Sequence, residues 1–170
     1  MLLGVVLLMA AVVVALIVWG RPEATNASLV GSVSATTAAV NSADIAAQEA
    51  AIRETLMGYN AAETEAAALL RIDPLTPYLA PEGPFAARRA AELAERQRRN
   101  APHRSILVRW GIGAITVNGD TATAVTQETW SNQEAGAVAP EQATVRVTYT
   151  LRWDAAAGRW LIVETNHMPL

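Results

Sequence analysis

Near His103 the apolar pattern of this chain changes period, and that change fixes the fold class before any motif is considered. Ahead of it Ile45, Ile52, Leu56, Tyr59, Ala66 and Leu70 recur at steps of three, four or seven, the spacing of one helical face. A helix is expected from Asp44 to about Arg71. Gly58 in its middle costs up to about 1 kcal/mol relative to Ala and suits a bend or a close approach. Asp73-Pro74 reads as a cap followed by a first-turn proline, and Pro77, Pro81, Gly83 and Pro84 hold the next segment to a turn or two. Helix resumes near Phe85. There Arg88, Glu92 and Arg96, with Glu95 and Arg99, stand at i and i+4 and support a solvated helical face that ends by Pro102.

After His103 the period is 2, with β-branched and aromatic residues between turns at Asn118-Gly119-Asp120, Gly136 to Pro140 and Asp154 to Gly158. Four strands are expected, at about Arg104 to Val117, Thr121 to Ser131, Gln142 to Trp153 and Arg159 to His167. Asn118-Gly119 marks a tight hairpin, because both central positions of the favoured turn need positive φ. The sheet is then an antiparallel meander. In the third strand Val145, Val147, Tyr149, Leu151 and Trp153 alternate with Thr144, Arg146, Thr148, Thr150 and Arg152, so one face packs on the helices and the other meets water. The class is α+β, with helices packed on a curved four-stranded antiparallel sheet.

The N-terminus belongs to a different environment. Leu2 to Trp19 is apolar or Gly throughout and carries no charge. At 1.5 Å rise per residue, a run of about 18 to 20 such residues crosses a hydrocarbon core of roughly 30 Å. A basic n-region is missing and the run is longer than a secretory signal needs, so it reads as a transmembrane signal anchor over 1–19. Trp19 falls at headgroup level, and the layout favours a C-terminal domain outside the cytoplasm. Residues 20–43 are rich in Ala, Ser, Thr and Asn without a sustained period and read as a flexible linker. The folded domain is expected over 44–170.

Charge and composition remove several function classes. The net charge of -3 offers no global attraction to nucleic acid, and the absence of Cys removes thiolate metal sites and disulfides. All thirteen basic side chains are Arg, which with the high Ala content points to a bacterial lineage. His103 and His167 stand far apart without a third ligand in motif spacing, so neither a metal nor a cofactor is expected. No phosphate-binding Gly loop or nucleophile elbow is present.

Three runs carry a resemblance: Gly119-Asp120-Thr121-Ala122-Thr123-Ala124-Val125 leading to Glu128-Thr129-Trp130, then Val147-Thr148-Tyr149-Thr150-Leu151, then Gly158-Arg159-Trp160-Leu161-Ile162-Val163. Their order resembles the last three strands of the nuclear transport factor 2-like (cystatin-like) superfamily. Within it the chain looks most similar to the IMS-type domains at the end of membrane-anchored plastid-division and cyanobacterial proteins. The resemblance implies a cone of helices and sheet. Enzymes of that superfamily use an Asp or His base with Tyr or acid donors inside the cone. Here Glu128, Tyr149 and Glu164, in phase with Trp130, Trp153 and Ile162, are the residues that such chemistry would use.

Two functional readings follow. One is a non-enzymatic, membrane-tethered module that binds a protein in or at the same membrane, or serves as an accessory subunit, since a tether raises the effective concentration for such partners. Its candidate surfaces are the arginines Arg88, Arg89, Arg96, Arg98, Arg99 and Arg104, and the aromatics Trp110 and Trp130. Trp110, Trp130, Trp153 and Trp160 are otherwise expected in the core. The other reading is a small-ligand binder or an isomerase- or dehydratase-like enzyme working in a pocket inside the cone. A pocket with Glu128 or Tyr149 buried and perturbed favours the second reading, and a cone filled by Trp and Leu the first.

Overall fold

The structure is a computed structural model that describes residues 30–170. The apolar run Leu2–Trp19 and the first part of the 20–43 segment lie outside the described residues. Helix α1 spans Val30–Leu69, a 3₁₀ turn spans Asp73–Tyr78, and helix α2 spans Pro84–Arg98. Four strands follow: β1 His103–Asn118, β2 Thr121–Glu134, β3 Glu141–Asp154 and β4 Arg159–Pro169. They form one antiparallel sheet in the order β1-β2-β3-β4. Gly119, Gly136 and Gly158 take positive φ in its three turns, as the turn chemistry requires.

α1 begins at Val30, well before the Asp44 expected from periodicity, so residues 30–43 are helical. A 3.6-residue apolar stripe records where a helix packs, not where it starts. An Ala-rich stretch joined to a packed helix extends it at one hydrogen bond per residue. The packed part starts at Ile52. Ile52, Leu56, Tyr59, Ala66 and Leu70 are buried along the expected face, whereas Ile45 is 50% exposed. Leu70 ends the helix with φ 55°. The 3₁₀ turn is capped by Ile72, and Asp73 lies inside it, bonded to Arg71 Nε at 2.8 Å instead of capping the backbone. Among the described residues no helix is long and apolar enough to cross a membrane.

The helices lie on the concave face of the sheet. Their apolar side chains meet Ala122, Ala124, Val147, Tyr149, Leu151, Trp160 and Ile162 in one core. Trp160 is buried, Trp110 and Trp130 are half-buried, and Trp153 is 39% exposed, packing edge-on against Trp160 at 5.8 Å. Trp153 therefore departs from the core position its alternation predicts, because the stretch of α1 near it presents the polar Asp44 and Gln48 and no apolar cover. The ladders are not regular. β1 shifts register between Leu107 and Arg109 and between Ile112 and Ile115. In β4, Ile162 faces Leu151 but Glu164 faces Thr150, which leaves Val163 as an extra, bulged residue. The strand entering α2 packs on that bulge: Ala80 N–H donates to the Ile162 carbonyl at 2.9 Å. A Cβ on Gly83 would lie 2.8 Å from the Val163 carbonyl oxygen.

Candidate functional site

Glu128 projects from the middle of β2 into the concave face, flanked by alternation with Thr126 and Trp130 on the same side. It is 1% exposed. Its Oε1 accepts from the Thr126 hydroxyl at 2.8 Å, the Tyr149 hydroxyl at 2.9 Å and, at longer range, the Asn60 amide at 3.5 Å. Its Oε2 accepts the Trp130 indole N–H at 2.9 Å. A carboxylate has about two lone-pair sites on each oxygen, and here three protein donors crowd Oε1 while one meets Oε2. Burying a carboxylate is tolerable only with such donors around it.

Tyr149 on β3 and Tyr59 on α1 meet edge to face at 6.0 Å, and Phe85 of α2 packs on Tyr59 in the same way at 6.0 Å. Burial pushes the Tyr149 phenol well above its ordinary range, and the Glu128 carboxylate adds to the effect. For Tyr59 burial again leads, followed by the charge of Glu63, whose Oε2 accepts the Tyr59 hydroxyl at 3.2 Å.

Above this aromatic layer lies a charged one. Arg89, buried on α2, pairs with Glu63 of α1 and with Glu92 at 2.7 Å. Burial raises the Glu63 carboxyl above the usual range even with Arg89 against it, since that guanidinium is shared with Glu92. Arg89 itself is held charged by the two carboxylates in spite of burial. Together these groups, with Ser105, Thr165 and His167, line a cavity of about 360 Å³. Burial holds the His167 imidazole below its usual range.

Of the candidate residues, Glu128 and Tyr149 come together as their strand phase requires, and Trp130 joins them as a donor. Glu164 does not. The bulge at Val163 turns it outward, where its carboxylate takes both Arg88 terminal nitrogens at 2.5 and 3.3 Å, and that bond holds it below the usual carboxylate range. Thr165 takes the inward place opposite Tyr149.

The arginine surface also divides. Arg89 is buried and offers no contact face, and Arg88 leaves its expected Glu92 ladder for Glu164 and lies 5.2 Å over the Phe85 ring. Arg96 pairs with Glu92, and Arg98 and Arg99 with Glu95. Trp110 is half-buried against the core. His103 sits beside Arg96, its pKa lowered by burial and then by that charge. Among the described residues no three His, Asp or Glu side chains gather as a metal site. Asn60, Tyr59 and Glu63 were not legible as site residues, because a helical polar residue at core spacing gives no sign of which strand it will meet.

No known family profile matches the chain, nor does any curated protein sequence. Solved structures do share its fold. The crystal structure of the intermembrane space region of chloroplast protein ARC6 superposes with a TM-score of 0.59 at 17% identity, covering 70% of this chain and 95% of that one. A 2.5 Angstrom structure from Catenulispora acidiphila superposes with a TM-score of 0.50 at 15% identity, covering 71% of this chain and 93% of that one. At these identities the likeness is one of fold.

Proposed function

We propose that this chain is a membrane-tethered, non-enzymatic binding protein of the nuclear transport factor 2-like kind. Its cone engages a protein partner in or at the same membrane. The observation that carries the reading is the engagement of both Glu128 oxygens by the protein itself. A general base needs a free lone pair within reach of the proton it takes; Thr126, Tyr149 and Asn60 crowd Oε1, Trp130 holds Oε2, and what acceptor capacity Oε2 keeps is buried with the side chain. It acts as a strut for the cavity floor. The tether rests on the uncharged run Leu2–Trp19, and a domain outside the cytoplasm is in keeping with a fold shared with an intermembrane space region.

The test is native-size analysis of the full-length protein in mild detergent, with mass spectrometry of the chains that co-purify. A reproducible assembly that disperses when Arg88 is changed to Glu at the cavity mouth supports the reading. A lone monomer or dimer overturns it. In that case the second reading takes over, a small-ligand site in the 360 Å³ cavity, favoured by the polar Ser105, Thr165 and His167 on its wall. Native mass spectrometry of the purified chain would then show a bound small molecule.

A further inference from the structure

Twelve arginines lie among the described residues, and their pairing is uneven. Eight of them, Arg53, Arg71, Arg88, Arg89, Arg96, Arg98, Arg99 and Arg152, form ion pairs with carboxylates, and Arg159 donates to the Pro77 carbonyl. The remaining three, Arg104, Arg109 and Arg146, are exposed and all stand on the sheet.

Register places Arg109 and Arg146 on the convex face, which the helices leave open. Arg109 faces Thr129, which faces Thr144, and their two hydroxyls meet at 3.0 Å. Arg146 faces Gln127 on one side and Met168 on the other. Around them Thr116, Thr123, Thr148 and Thr150 alternate outward, opposite to the buried Ala122, Ala124, Val147, Tyr149 and Leu151. Along these rows the carboxylate in register is Glu164, which Arg88 already holds. In a chain of net charge -3, the described arginines that meet neither a carboxylate nor a carbonyl thus stand on one bare, hydroxyl-covered face.

We propose that this convex face docks on an anionic lipid surface through Arg109 and Arg146. The proposal rests on the membrane tether proposed above. Two strands apart and two residues out of step, the two arginines spring from backbone positions roughly 12 Å apart, a spacing that suits neighbouring headgroups. Apolar side chains accompany them. Val108, at the β1 bulge beside Arg109, is 54% exposed, and Met168, opposite Arg146, is 56% exposed. Cationic and apolar side chains interleaved on one face suit the boundary between headgroups and acyl chains, where charge and burial both contribute. An acidic protein would use the charge but gain less from the isolated Val and Met. The tether supplies proximity, and the face sets which side of the domain lies on the bilayer.

Because the chain has no Cys, Val108→Cys and Met168→Cys each give a single position for an environment-sensitive fluorophore. The labelled full-length protein is reconstituted in vesicles of phosphatidylcholine alone or of phosphatidylcholine with phosphatidylglycerol. The expected result is a blue-shifted emission at both positions on anionic vesicles only, reversed by high salt. In the Arg109→Gln/Arg146→Gln double variant, with an unchanged melting midpoint, the lipid dependence weakens by about fivefold per arginine. An unshifted label on anionic vesicles overturns the docking, as does a shift that neutral vesicles reproduce or that the double variant retains. A label that ignores vesicles and responds to added polyglutamate overturns it in favour of an acidic protein. Flotation separates the two ideas: a chain that fails to float with neutral vesicles removes the tether, while a salt-sensitive shift on anionic vesicles still upholds the docking.

Discussion

The Tyr149 hydroxyl donates to Glu128 Oε1 at 2.9 Å and so ties the centre of β3 to the centre of β2 at the floor of the cavity. With Thr126, Trp130 and Asn60 on the same carboxylate, the site is a buried polar network of four donors around one acceptor, and Asn60 Oδ1 at 3.4 Å offers the Tyr149 hydroxyl a second.

Glu128→Ala takes that acceptor from Thr126, Trp130 and Asn60 in the core and leaves Tyr149 with Asn60 Oδ1 alone, and urea unfolding should show a loss of about 3 to 5 kcal/mol at about 1 to 3 kcal/mol for each stranded donor. Tyr149→Phe removes one bond to a charged acceptor and should cost about 1.5 to 3 kcal/mol. A Glu128→Ala protein of wild-type stability would show that the network is not a strut.

Arg89 and Glu63 form a buried pair that costs more to split than to replace whole. Arg89→Met strands the Glu63 carboxylate and should destabilise by about 3 to 5 kcal/mol, while the double variant Glu63→Leu/Arg89→Met should recover most of that loss. A double-mutant cycle in denaturant measures the coupling.

Two glycines admit close neighbours, and their neighbours differ in kind. A Cβ at Gly58 would meet the Tyr78 ring at 2.5 Å, and one at Gly83 would meet the Val163 carbonyl at 2.8 Å. The ring can swing away, and helix propensity returns up to about 1 kcal/mol. Gly58→Ala should therefore be nearly neutral once Tyr78 is also changed to Ala. Gly83→Ala faces backbone and should cost about 1 to 3 kcal/mol in any background. Thermal unfolding of the three variants checks the contrast.

Tyr59 and Tyr149 are phenols raised by burial. A group whose folded pKa lies above its unfolded one contributes stability in full below the unfolded value, about 10 for Tyr. That contribution is lost as pH climbs from there towards the folded value. The phenolate absorbance of these two residues should thus rise together with unfolding, seen by circular dichroism on the same alkaline titration. Tyr149→Phe should remove part of that absorbance step.

Much of this architecture was legible in the residues. Period 2 after His103 and the turns at Asn118-Gly119 and Gly158 located all four strands to within a few residues, and alternation put Glu128 and Tyr149 on one face. Two kinds of information were not legible. Helix extent was one, since residues 30–43 have the composition of a loop and the geometry of a helix. Strand phase was the other: counting in twos from Ile162 brings Glu164 inward, and nothing in the letters Ile-Val-Glu announces that the count slips by one. The partners that α1 brings to Glu128 and Arg89 depend on how the helix lies across the sheet, which no local pattern encodes.

The extra residue at Val163 has a consequence for how this strand can change over generations. Because one position in β4 is uncounted, the strand is written in two frames, one ending at Ile162 and one beginning at Glu164. Deleting Val163 would merge them. Ile162 would still face Leu151, Glu164 would still face Thr150 and Thr165 would still face Tyr149, so the ladder would straighten without exchanging its faces. A single-codon deletion in the regular stretch beyond Glu164 would instead exchange the inside of the strand for its outside.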